Sequence, residues 1–131
     1  MKTLADAKRR APQTPAVDRA PPIAPDAPID LVHLAQMTLG DTSLEREVLD
    51  LFDRQVVMLL GRMGNEQPRV VAALAHTLIG SARGIGAWKV AEAAEAVERL
   101  AARDVPALTG AIERLASAVD EARAVIADLP R

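Results

Sequence analysis

The chain has 131 residues, room for one domain, and half of them are hydrophobic, yet Phe52 and Trp88 are its only aromatic residues and there is no Tyr. Cysteine is also absent, which excludes a disulfide, a thiolate nucleophile and a Cys-ligated metal. The net charge of −2 divides into +2 over residues 1–29 and −4 over the remainder, and an acidic folded part argues against nucleic acid as the main partner.

Residues 1–29 contain six of the nine prolines, from Pro12 to Pro28. Proline removes a backbone donor and resists helix, so this stretch reads as a disordered arm ahead of a helical domain over 30–131. Within it, Lys8-Arg9-Arg10 reads as solubilising charge, with contact to an acidic partner as the alternative. The opening Met1-Lys2-Thr3-Leu4-Ala5-Asp6 lacks the apolar run of a signal peptide, and no stretch approaches the roughly 20 apolar residues of a membrane span. A cytoplasmic protein with no membrane attachment is expected.

A short helix is predicted over Asp30 to Met37, ending at Gly40-Asp41. The next begins near Ser43 as N-cap and follows the stripe Leu44, Val48, Leu51, Phe52, Val56 and Leu59 until Gly61, Gly64 and Asn65 close it. A third runs from about Gln67 to Arg83, with Pro68 in the first turn, where a missing N–H costs nothing; Gly84-Ile85-Gly86 then interrupts or kinks it. A fourth covers Ala87 to Ala102. A fifth runs from Val105 or Pro106 to Leu129, with the stripe Leu108, Ile112, Leu115, Val119, Ala122 and Ile126 read as core and a dimer seam as the alternative. Short connections between long amphipathic helices specify antiparallel neighbours, hence an all-α, up-and-down four-helix bundle with one short extra helix at its N-terminal side.

His76 stands apart on the third helix. At 100° per residue, Leu74, Leu78 and Ile85 fall near the opposite pole, flanked by Val70, Val71 and Ala82. Arg69, Ala72, Ala73, Gly80 and Arg83 share the histidine's sector, and Ile79 lies at its edge. Neutral imidazole is nucleophilic near pH 7 without special activation. Small neighbours leave room for another protein to reach it, and Arg69 and Arg83 can favour a phosphoryl dianion. Mid-helix Gly80 costs roughly 0.5–1 kcal/mol relative to Ala, which asks for a reason. An ordinary solvated histidine beside a tolerated glycine is the competing reading of the wheel.

The run Ala75-His76-Thr77-Leu78-Ile79-Gly80-Ser81-Ala82 resembles the signature of histidine-containing phosphotransfer (HPt) domains, H-x-L-K-G-S/A-S/A. The likeness extends to Gly86, to Val97-Glu98 and to Leu51-Phe52-Asp53-Arg54-Gln55, and spans roughly residues 30–129. It implies a four-helix bundle that relays phosphate between receiver domains, with His76 as phosphoacceptor and Glu98 orienting the imidazole. Gly80 then gives clearance for docking, and Ala72, Ala73 and Ile79 form the docking surface. The implied partners are response-regulator receivers and a hybrid histidine kinase, with Mg²⁺ on the receiver and no cofactor or metal on this chain. The protein itself is expected to be a monomeric phosphocarrier and not a kinase. One position departs from the pattern: Ile79 replaces the family's lysine, which helps balance phosphate charge, and Arg83 is the candidate substitute. The alternative is a helical adaptor that docks receivers or other partners without chemistry.

Gly80-Ser81-Ala82-Arg83-Gly84-Ile85-Gly86 also mimics the glycine-rich turn of short-chain dehydrogenases, but that turn needs a preceding strand and a catalytic tyrosine that this chain lacks. His33 reads as a capping or packing residue, because neither histidine has metal-ligand spacing. Glu92 and Glu95 read as a solvated face, with Glu98 alone set apart by position. Trp88 and Ile85 are expected to cover the end of the bundle as core, with receiver contact as the alternative.

Overall fold

Two aspartates start the first two helices. Asp30 caps α1 (Leu31–Met37), its Oδ1 accepting from the His33 N–H at 3.0 Å. Asp41 caps α2 (Thr42–Met63), accepting from the Leu44 N–H at 3.0 Å. The expected cap at Ser43 is thus displaced by two residues: a full negative charge at Asp41 satisfies an orphan donor and also suits the positive end of the helix dipole. The structure is a computed structural model that describes residues 27–130. The expected disordered arm lies outside the described residues up to residue 26. Its last positions do not belong to it, since Ile29 is buried in the core.

Three further helices follow: α3 (Pro68–Ile85), α4 (Trp88–Arg103) and α5 (Leu108–Asp128). Pro68 occupies the first position of α3, as its fixed φ and missing N–H favour. The helix does not break at Gly84 but continues to Ile85 and ends at Gly86, which takes φ +82°. Only glycine fits there, because a Cβ would lie 2.9 Å from the Asp30 carbonyl oxygen. Asp104 and a 3₁₀ turn over Val105–Ala107 join α4 to α5, so the last helix begins after Pro106.

Helix α3 packs between α2 and α4, α4 packs on α5, and α5 closes the ring against α2. No strand occurs among the described residues, and the expected all-α bundle is the architecture observed. The core stripe of α2 is Leu49, Phe52, Val56, Leu59 and Met63. Leu44 and Leu51, expected in that stripe, are exposed. Leu51 lies about 100° from Phe52 on the wheel, outside the arc that α3 and α5 cover. On α5 the expected stripe is buried, except that Ile112 is only partly so.

Helix α1 is latched to the α3–α4 turn. The Asp30 N–H donates to the Gly86 carbonyl at 2.9 Å, and the Trp88 indole N–H donates to Asp30 Oδ2 at 3.1 Å. The His33 ring packs edge-on against Trp88 with centroids 4.9 Å apart, the packing role expected of it. Ile85 is buried, but Trp88 is 40% exposed, because its indole lies over Asp30 and His33 at the rim. Among the described residues no helix is long and apolar enough to cross a membrane.

Candidate functional site

The Gly86-Ala87 turn decides what meets across α3 and α4. The left-handed glycine reverses the chain, with the Ala87 N–H returning to the Ala82 carbonyl at 2.8 Å. Residues at equal distances on either side of the turn then face each other. His76 precedes Gly86 by ten residues and Glu98 follows Ala87 by eleven, and their side chains meet, with Nδ1 3.0 Å from Glu98 Oε2. The imidazole is 76% exposed, so apart from that contact the ring faces outward.

Its surroundings follow the wheel in part. Ala73 and Gly80 are exposed beside it and Ala72 is half-buried. A Cβ placed on Gly80 would meet nothing within 4 Å, so the glycine does not serve packing inside this chain. Ile79 departs from expectation. It is only 5% exposed and belongs to the core rather than to a docking surface. The wheel put it at the edge of the histidine's sector, and the approach of α4 on that side turns the edge into interior.

Arg83 is on the exposed face, but its guanidinium is ion-paired with Glu95 of α4. Glu95 therefore belongs to the seam and is not simply solvated; that pair could have been anticipated from its spacing of three from Glu98. Arg69 is exposed two turns before His76. Sequence reasoning also missed the α2 flank. Leu51 and Met58 are 57% and 56% exposed, and Leu51 lines a shallow recess of about 320 Å³ together with Gln55, Ser81 and Ile85. The signal available was the spacing of seven in Leu44, Leu51 and Met58, a second stripe beside the core one.

A carboxylate only accepts hydrogen bonds, so contact with Glu98 favours a proton on Nδ1, and in the neutral ring the lone pair then lies on Nε2, the outward nitrogen. The arrangement thus presents an imidazole nitrogen on an open helix face. No group of three or more His, Asp or Glu able to hold a metal occurs among the described residues.

The family model for the Hpt domain matches residues 43–125. The chain belongs to the Hpt domain family. Hpt domains are phosphocarrier modules of two-component signalling rather than catalysts, so a phosphotransfer role in such signalling follows from membership. The match takes in α3 and α4 whole, most of α2 and most of α5, and leaves α1 outside. No curated protein matches the chain, and no solved structure does.

Proposed function

We propose that His76 accepts a phosphoryl group from the phospho-aspartate of a receiver domain and passes it to the aspartate of a second receiver, which makes the chain a phosphorelay intermediate. The observation that carries this reading is the outward Nε2 of an imidazole whose Nδ1 is held by Glu98. In the forward step Nε2 attacks phosphorus in line. The N–P bond forms, the P–O bond to the receiver's carboxylate breaks, and that carboxylate leaves with the electron pair. The ring keeps its Nδ1 proton and becomes cationic, and the Glu98 carboxylate beside it balances the charge. The reverse sequence, on a different receiver, returns the histidine to neutrality.

The chain contributes position and a nucleophile and brings no cofactor of its own. Mg²⁺ held by the receiver would supply charge neutralisation at the transferring phosphoryl group. Gly80, Ala73 and the half-buried Ala72 leave clearance for that partner, while Arg69 and Arg83 add positive charge along the same face. Use of Arg83 in place of the family's lysine requires its guanidinium to exchange Glu95 for the phosphoryl oxygens. A hybrid histidine kinase whose receiver carries the phospho-aspartate fits upstream.

The absence of lysine at position 79 favours one rival, an adaptor that docks receivers without chemistry. Incubating the full chain with a phosphorylated receiver and Mg²⁺ separates the two. Acid-labile, alkali-stable label on the wild type, missing from His76→Gln, is the result expected of the carrier. Receivers that bind the chain but leave it unlabelled would establish the adaptor instead.

A further inference from the structure

Among the described residues ten large hydrophobic side chains are exposed, and five of them, Leu31, Val32, Met37, Leu39 and Leu44, fall within residues 31–44. Such clustering marks an interaction surface, whereas single exposed leucines do not. Leu39 is the extreme case. It is 93% exposed and sits at φ +55°, the only non-glycine residue with positive φ among those described. A leucine is strained in that conformation, and the next residue, Gly40, occupies the same region freely at φ +78°. No described residue covers the Leu39 side chain.

Beside this projection lies a recess of about 630 Å³ between α1, the start of α2 and the end of α5. Leu34, Leu49 and Leu129 line it, with Thr42 at the rim three residues from Leu39. Arg46 also lines it: one guanidinium nitrogen donates to the Pro130 carbonyl, while Nη1 is shielded from solvent and has no hydrogen-bond partner among the described residues.

We propose that this end of the bundle is a self-association surface on which two copies meet about a two-fold axis, each seating Leu39 in the recess of the other. A small ligand would fill the recess but leave the apolar rim in water, so a protein surface fits better. A two-fold contact uses one patch on both subunits, and that patch must complement itself. This one holds a projection and a hollow side by side. It also holds an exposed carboxylate, Asp41, two residues after Leu39, whose charge complements the Arg46 guanidinium at the recess of the other copy. No residue lining the recess comes from α3 or α4, so pairing leaves the His76 face open. The protein is then a dimer and not the monomer expected from its sequence.

Sedimentation and light scattering of the full chain over a concentration series up to millimolar test this. The wild type should pass from one to two chain masses. Leu39→Gly relieves the left-handed strain, so at dilutions where both are monomeric it should melt no lower than wild type, yet it should weaken dimerisation by roughly tenfold or more. Leu39→Asp should do the same by placing a charge in the hollow. A wild type that stays monomeric throughout, or a Leu39→Gly protein that pairs as tightly as wild type, overturns the proposal.

Discussion

Position 80 separates what folding needs from what the proposed docking needs. A methyl group there meets nothing within 4 Å, and alanine favours helix over glycine. Gly80→Ala should therefore stabilise the protein by about 0.5–1 kcal/mol in thermal or urea melts. Gly80→Gln should also fold, yet its side chain would occupy the space in front of His76, and the rate of phosphoryl transfer should fall at every receiver concentration. Glu98 should divide differently. Glu98→Gln keeps an acceptor near Nδ1 without the charge and should slow transfer less than Glu98→Ala, which frees the ring to turn; single-turnover transfer rates measure both. The resemblance makes lysine at position 79 look like a simple gain, but Ile79 is core. Ile79→Lys should cost stability, on the order of 1–3 kcal/mol, as the ammonium strains outward from an apolar site. The exposure of His76 and Gly80 was legible in the sequence, because one helix's periodicity fixes it. The burial of Ile79 was not, because it depends on where α4 lies, which no wheel of α3 contains.

The elements themselves were largely legible, since each carries its own apolar period and its own punctuation. Their ends were less so. The Gly84-Ile85-Gly86 run offers two glycines as stops, and only the approach of Asp30 shows that Gly86 is the one that must be left-handed. Gly86→Ala should cost about 1–3 kcal/mol or more, through the conformation and through the clash with the Asp30 carbonyl, and should loosen α1 first. Exposure of the Trp88 indole, read by its fluorescence, would report that loss. The same latch has a pH dependence. The Asp30 carboxyl is held below its ordinary value of 3.8, chiefly by the His33 backbone N–H and next by the Trp88 indole. Because the folded form has the lower pKa, this contribution is complete above the unfolded value and is lost as pH falls through the folded one. The stability advantage of wild type over Asp30→Asn should thus shrink between about pH 5 and about pH 3, as melting temperatures across that range would register.

As a whole, the bundle divides its surface by seam. Ring closure relies on apolar burial. The cross-helix ion pairs Arg123–Asp53 at 2.7 Å and Lys89–Glu121 at 3.1 Å are exposed and add little. The α3–α4 seam carries the imidazole, its carboxylate and the Arg83–Glu95 pair. The α1–α2–α5 end carries the apolar rim and recess. Bundle topology was legible because short connections leave few alternatives. The apolar surface was not, because Leu44 and Leu51 read equally well as core until the neighbours of α2 are placed.

The claim on which the rest depends is that a receiver phosphorylates His76 through the nitrogen that Glu98 leaves free. Nitrogen-resolved NMR of the histidine rings in the full chain, taken before and after incubation with a phosphorylated receiver and Mg²⁺, tests it directly. The account predicts phosphorus bonded to Nε2 of His76, a proton retained on Nδ1, and His33 unchanged. A phosphoryl group on Nδ1, on His33 or on neither histidine would contradict it.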